Sequence, residues 1–265
     1  MSAWPARALP PALELPAGEI QVWSIRLDPP PERVAALAAT LTPDEEARAA
    51  RFRFDVHRRR YVVGRGALRA LLGAYLGARP ADLRFDYRER GKPDLARPWR
   101  GSGLSFNLSN SEDLALAGFV RGGDLGVDVE YLKEMPDLED IATRFFSAAE
   151  VATLAGVPPE RKKEAFFNCW TRKEAYLKAV GVGLAAPLDS FAVTLEPGEA
   201  PRMLTLEGDA ARAARWFFHH LEPRPEFLGA LAIELPVAGA GDAGPRVACW
   251  TYEPGESGRA STAAG

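Results

Sequence analysis

The sequence predicts an α+β protein built from two halves of similar size. Three observations carry this expectation. Hydrophobic periodicity runs strand, helices, strands, and then strand, helices, strands again. A Gly122-Gly123 pair punctuates the chain between the two runs. The 265 residues, 47% hydrophobic and 26% charged, suffice for one large domain or two small ones. The expected division is 1–122, 123–236, and a Gly/Ala/Pro-rich segment at 237–265 that is at least partly disordered. The repeat is one of elements, without a clear sequence repeat.

Taken in order, Ile20–Ile25 alternates as a strand does, and Pro29-Pro30-Pro31 ends it. Val34–Thr40 reads helical. Thr42-Pro43-Asp44-Glu45 has the marks of a helix start: a capping Thr, Pro at the first position and acids in the first turn. Arg58–Leu76 is a long helix with an apolar stripe of Leu68, Leu71, Leu72 and Tyr75. Leu83–Tyr87, Gly103–Leu108 and Leu114–Val120 read as strands between Gly- and Ser-containing turns. The second run opens with a strand at Leu125–Tyr131. Helices follow at Leu138–Phe145, Ser147–Leu154 and Lys162–Val180, then strands at Ser190–Leu195, Arg215–His220 and Leu228–Glu234. Arg246–Tyr252 is an apolar island suited to one more strand. Gly255–Gly265 reads as a disordered tail.

The formal net charge is -3, so any anion site must come from local clustering. Cys169 and Cys249 lie far apart and form neither a zinc motif nor a disulfide framework, which favours a reduced, cytoplasmic setting. Met1–Gly18 carries four prolines and no continuous apolar stretch, against a signal peptide. No segment approaches the ~20 apolar residues of a membrane span.

Charge does segregate. Arg48, Arg51, Arg53, Arg58, Arg59, Arg60, Arg65 and Arg69 crowd one stretch in which Asp55 is the only acid. The planar guanidinium suits phosphate oxygens, so one reading is a phosphate-rich ligand. A solvated helix face explains most of the individual arginines better. A nucleic-acid surface ranks low, since no regular Lys or aromatic residues interleave the later arginines.

Two carboxylate patterns carry the chemistry. In Gly126-Val127-Asp128-Val129-Glu130, strand periodicity puts Asp128 and Glu130 on one face and the valines on the other. Side-by-side carboxylates repel; taken alone, a solvated acidic face on an edge strand explains the pair better, and the functional reading is Mg²⁺, which removes that cost while keeping room for phosphate oxygens. In Trp170-Thr171-Arg172-Lys173-Glu174-Ala175-Tyr176-Leu177-Lys178, a wheel of about 100° per residue groups Phe166, Phe167, Cys169, Trp170, Tyr176, Leu177 and Val180 in one sector. Glu174 and Lys173 fall inside it and Lys178 lies at its margin, with the polar face expected around Asn168, Thr171 and Arg172. An exposed Glu174–Lys178 ion pair is therefore a poor explanation. A charge on the buried side needs a partner or a metal.

These residues resemble the 4′-phosphopantetheinyl transferases of the surfactin-synthetase-activating type. The family patterns G-[IV]-D-[IV]-E and W-[ST]-x-K-E-[AS]-x-x-K are met at Gly126–Glu130 and Trp170–Lys178. Weaker ones follow in order. They are Gly91-Lys92-Pro93, Phe106-Asn107-Leu108-Ser109-Asn110-Ser111, Arg144-Phe145-Phe146-Ser147 with Glu150, and Gly183-Leu184 with Pro187–Phe191. The resemblance spans about Thr42 to Phe191.

What the resemblance implies is specific. The fold would be a monomer of two α+β halves related by a pseudo-twofold, with a cleft between them. The activity would be Mg²⁺-dependent (or Mn²⁺-dependent) transfer of phosphopantetheine from coenzyme A, the co-substrate, to a serine of an acyl or peptidyl carrier protein. Adenosine 3′,5′-bisphosphate would be released. Asp128, Glu130 and Glu174 match the metal-binding carboxylates, and Lys178 the lysine on the pyrophosphate, with Glu174, Lys178 and Asp128 as the catalytic set. Arg48, Lys92 and Ser109 match coenzyme A positions, with Arg60 and Arg90 beside them. Asn110 stands in place of the commoner histidine, and Glu45 where some relatives are basic. His57, His219 and His220 read as structural, and the remaining arginines as surface. Phe145, Phe146 and the segment up to Lys163 are candidates for carrier contact, core being the competing reading. Neither nucleic acid nor membrane is expected as a partner. The competing functions are another Mg²⁺-dependent phosphodiesterase or nuclease, and a non-catalytic arginine-rich binding module. The latter gives Glu174 no reason to face inward.

Overall fold

The computed structural model describes residues 4–182, 187–237, 239–240 and 244–253. Gly183-Leu184 and the 255–265 tail lie outside them. The first run comprises β1 (Ala6–Ala8), β2 (Glu19–Arg26), α1 (Pro31–Ala38), α2 (Pro43–Ala49), α3 (Asp55–Leu76), β3 (Phe85–Tyr87), β4 (Pro93–Leu95), β5 (Leu104–Ser111) and β6 (Leu114–Arg121). The second has β7 (Leu125–Tyr131), α4 (Leu138–Phe145), α5 (Ala148–Gly156), α6 (Pro159–Val180), β8 (Phe191–Val193), β9 (Met203–Leu206), α7 (Ala210–Ala213), β10 (Trp216–Leu221), β11 (Phe227–Glu234) and β12 (Arg246–Glu253). The fold is α+β, as expected.

Two sheets pack face to face. One is five-stranded in the order β1-β12-β2-β6-β5, and the other three-stranded in the order β10-β11-β7. The alternation read in β2 explains the layering. Ile20 and Val22 face the second sheet, where they meet Val127, Val129, Leu231 and Ile233. Trp23 and Ile25 face the other way, against Leu68, Leu71 and Leu72 of α3. Trp23 Nε1 donates to Tyr75 Oη at 2.9 Å, satisfying the one polar atom that the indole buries. On the far side of the three-stranded sheet, α6 packs with Ala230 and Ala232 of β11. The layers therefore run α3, five-stranded sheet, three-stranded sheet, α6.

The strand expected at Arg246–Tyr252 forms as β12. It runs parallel between β1 and β2, so the segment set apart at 237–265 contributes to the five-stranded sheet. The sequence reading lacked β1, β4, β9 and α7. Each has only three or four residues, too short to display a period. No helix among the described residues is long and apolar enough to cross a membrane.

Candidate active site

Gly126 explains why α6 and β7 meet so closely. A Cβ there would lie 2.0 Å from Ala175 O and 2.4 Å from Ala179 N. Only glycine lets the helix backbone rest on the strand at this point. The contact is bracketed by Glu174 and Lys178, and it brings both over the strand face that carries Asp128 and Glu130.

The expected parity holds. Val127 and Val129 are buried between the sheets, and Asp128 lies 3% exposed on the α6 side. Lys178 Nζ reaches Asp128 Oδ1 at 2.6 Å and Ser109 Oγ at 2.7 Å. Ser109 Oγ in turn donates to Asp128 Oδ1 at 2.9 Å. Lys178 is thus paired across the fold with Asp128. Glu130 Oε2 accepts from Ser111 Oγ at 2.8 Å. Two buried carboxylate oxygens, Asp128 Oδ2 and Glu174 Oε1, have no hydrogen-bond partner.

Burial and the neighbouring charge of Asp128 both push the carboxyl of Glu174 above its ordinary range, with Lys178 opposing. Glu130 is raised by the same two causes in the same order, against the Ser111 hydrogen bond and Lys178. The three acids therefore share one electrostatic environment. Among the described residues, no three His, Cys, Asp or Glu side chains converge closely enough to ligate one ion. Asp128 is compensated by the Lys178 ammonium instead. Even so, the donor set fits a hard divalent cation: carboxylates that repel one another, with buried oxygens lacking any donor.

Beside this seam lies a cavity of about 480 Å³ whose lining includes Arg48, Arg60, Arg65, Tyr61, Tyr87 and Asn110. Strand β5 serves both places. Asn107, Leu108 and Asn110 line the cavity, while Ser109 and Ser111 turn to the acids. Arg48 lies over the Tyr61 ring at 5.6 Å. Arg60 bonds Glu112 at 3.2 Å and Asp28 at 3.3 Å.

The sequence matches the "4′-phosphopantetheinyl transferase superfamily" over residues 124–232 and "4′-phosphopantetheinyl transferase, N-terminal" over residues 26–119. It is 44% identical to "4′-phosphopantetheinyl transferase HetI" of a Nostoc species, over 84% of this chain and 91% of that one. The chain belongs to the 4′-phosphopantetheinyl transferase superfamily. It is also similar to a "Phosphopantetheinyl transferase" of a Thraustochytrium species, at 32% identity over 88% and 84% of the two chains. With "4′-phosphopantetheinyl transferase Sfp" of Bacillus subtilis it shares 29% identity over 66% and 77%.

Several expectations for this transferase need correction. Arg65 and Arg69 are buried, at 7% and 0% exposure, rather than surface arginines. Their partner is Glu45. Its Oε1 accepts from Arg65 Nε at 2.5 Å and Arg69 Nη1 at 3.1 Å, and its Oε2 from the Thr42 amide at 2.9 Å. Glu45 thus anchors α2 to α3 and spends its charge inside the fold. Lys92 is buried as well. Its Nζ donates to Ala179 O at 2.9 Å and Leu125 O at 3.2 Å, and burial pulls its pKa down. Lys92 ties the end of α6 to the start of β7 and is absent from the cavity lining, as are Arg90 and Ser109. Arg90 donates to Val182 O at 2.8 Å.

The polar face expected on α6 is buried too. Asn168, Thr171 and Arg172 are each no more than 2% exposed. Arg172 Nη1 donates to Thr194 O at 2.6 Å, and Asn168 Nδ2 to Leu195 O at 3.2 Å. The segment around β8 covers the side that a helical wheel would leave to water. Val180, placed in the apolar sector, is exposed. Phe146 is core, its ring tilted against Phe166 with centroids 5.2 Å apart, and half-buried Phe145 meets Trp170 at 6.2 Å. His57 lines the cavity, which the sequence reading missed. The available signal was helical spacing: His57, Arg60, Tyr61 and Gly64 fall on one face of α3.

Proposed function

We propose that this transferase takes coenzyme A into the arginine-lined cavity and passes its 4′-phosphopantetheine to a serine of an acyl or peptidyl carrier protein. Asp128, Glu130 and Glu174 would hold Mg²⁺, or Mn²⁺, against the pyrophosphate. The carrying observation is the pair of buried, partnerless oxygens on Asp128 and Glu174 beside a cavity rich in arginine. A divalent cation bound there supplies neutralisation of the leaving group.

The protein groups do the rest. Arg48 and Arg60 meet the adenosine phosphates with parallel N–H donors. Lys178 shifts between Asp128 and the pyrophosphate, adding charge where the leaving group develops it. The carrier serine oxygen attacks the phosphorus that bears pantetheine, and the bond from that phosphorus to the bridging pyrophosphate oxygen breaks. Adenosine 3′,5′-bisphosphate departs with that oxygen. Glu174, directly or through a water it orients, takes the serine proton; one of its oxygens has no protein donor. The nucleophile comes from the partner, so a catalytic Ser or Cys in this chain is unnecessary. On this reading the two halves, 1–122 with β12 and 123–236, are related by a pseudo-twofold around the cleft, and the enzyme is a cytoplasmic monomer.

The test is direct. The protein is mixed with coenzyme A, Mg²⁺ and an apo carrier protein, and the carrier is weighed. A gain of one phosphopantetheine is expected. No gain across a broad carrier panel, with hydrolysis of simple phosphodiesters instead, would assign the acids to a different metal enzyme.

A further inference from the structure

We infer that Ser111 is a positioning residue for Glu130, holding from the opposite sheet a carboxylate that electrostatics would otherwise turn away from Asp128. The inference rests on the metal reading given above. Three alternate residues of β5, namely Asn107, Ser109 and Ser111, share one face of the strand, and all three reach β7. Asn107 Oδ1 accepts from the Val127 amide at 3.0 Å. Ser109 reaches the Asp128 carboxylate. Ser111 Oγ accepts from the Tyr131 amide at 3.1 Å and donates to Glu130 Oε2 at 2.8 Å.

The other side of β7 is already paired with β11, so the outward amides of Val127 and Tyr131 need acceptors that the sheet cannot give. Side chains of β5 supply them. At Ser111 this has a consequence for Glu130. A hydroxyl carries one proton. With the Tyr131 N–H aimed at the oxygen, that proton is free to point at Glu130, and the rotor is fixed in the orientation the carboxylate needs. Glu130 is half-buried, and Asp128 is two residues away on the same strand face. Repulsion between the two favours rotamers of Glu130 that point away from the acid seam. The Ser111 bond opposes that swing. An alanine would keep the strand but free the carboxylate. A threonine would keep the hydroxyl.

The experiment compares wild type, Ser111→Ala and Ser111→Thr by Mn²⁺ binding, read by electron paramagnetic resonance with coenzyme A saturating. Transfer is then measured against metal and coenzyme A concentration. Ser111→Ala should bind Mn²⁺ ~10-fold more weakly or worse, the range typical when a group that orients a metal ligand is lost. At saturating metal its KM for coenzyme A should stay within about twofold of wild type and its melting temperature close to it, since Ser111 lies off the cavity. Ser111→Thr should restore Mn²⁺ binding to within about threefold. If Ser111→Ala is poorly folded, Ser111→Cys carries the same comparison, because it fills the site with a weak donor. Wild-type Mn²⁺ affinity in folded Ser111→Ala overturns the inference. So does a folded Ser111→Thr that binds as weakly as the alanine variant. A wild-type protein that transfers phosphopantetheine yet binds no Mn²⁺ would sink the metal reading itself, and wild type alone distinguishes that failure.

Discussion

Glu150 reaches α6 from α5 and Glu174 belongs to α6, and the two are in opposite circumstances. Glu150 Oε1 accepts from the Val193 amide at 2.8 Å, and its Oε2 accepts from the Ser147 amide at 2.8 Å and pairs with Lys173 Nζ at 2.8 Å. Lys173 completes its shell with the carbonyls of Leu188 and Phe191. Every charge there is spent. Glu174 follows Lys173 in the chain, yet its Oε1 is buried without a donor and its carboxyl is raised by burial and Asp128. Burial alone therefore does not mark a functional acid. A buried carboxylate with all its partners fixes the fold, while one with an unused oxygen holds a valence in reserve for something that arrives later. The same contrast separates Glu45, spent on Arg65 and Arg69, from Asp128, whose Oδ2 is unused.

The hardest test of this contrast is Glu174→Gln. Transfer should fall by roughly 10³-fold, in the range of a lost general base, while the melting temperature holds or rises because a buried charge is removed. Single-turnover transfer and thermal melting measure the two sides. Turnover above a tenth of wild type would place Glu174 with the structural acids. Glu150→Ala should do the reverse. Breaking a fully buried pair costs about 3–5 kcal/mol, which lowers the melting temperature by roughly 10 °C in a chain of this size. The fraction that stays folded should keep its specific activity. Glu150→Leu with Lys173→Met should recover much of the loss, since an apolar pair needs no partners.

A pH titration sharpens the contrast without any substitution. The folded-state pKa of Glu174 is raised above its ordinary 4.5. Well below 4.5 the acid is protonated in both the folded and unfolded states, and burial of its charge costs nothing. As pH climbs through the raised value, the unfolded chain ionises first and the folded protein resists, so stability falls. Glu130 adds to the same slope. Denaturant unfolding of the metal-free protein from pH 4.5 to 8 should carry this decline, against the opposite slope from His219, whose pKa burial lowers, and Mg²⁺ with coenzyme A should remove the acids' share. Glu174→Gln should also flatten it, by the share that Glu174 contributes. An unchanged slope in that variant would mean that Glu174 is not held under penalty.

Local patterns in the sequence carried the acid seam, and long-range contacts hid the rest. Strand parity was enough to put Asp128 and Glu130 together, and a helical wheel turned Glu174 inward, because both periods are fixed by backbone geometry. A wheel assumes one buried side. It failed on Arg172, whose carbonyl partner at Thr194 lies on a segment that returns over the helix. Arg65 and Arg69 looked like solvated arginines because their acid lies 20 and 24 residues upstream. Lys92 was placed by the family resemblance, and nothing local announced its bonds to the carbonyls of Leu125 and Ala179. Ser111 stood in the family-like segment without a role, since its partner Glu130 becomes a neighbour only when the two sheets pack.

The smallest expected effect tests whether cavity and seam are separable at all. Asn110 is exposed, lines the cavity with Arg48 and Arg60, and stands between Ser109 and Ser111, which face the acids. If Asn110 serves the cavity while its two serine neighbours serve the acids, Asn110→His should alter coenzyme A binding and leave the chemical step alone. An imidazolium would add a charge-assisted donor to the phosphates, worth about 1 kcal/mol at an exposed site, so KM for coenzyme A should fall by about fivefold. The gain should be present below about pH 6.5 and fade above it as the imidazole loses its proton. The turnover number should stay within about twofold, because Glu174 and Lys178 are untouched. A large loss of turnover at unchanged KM would show that position 110 reaches the acids.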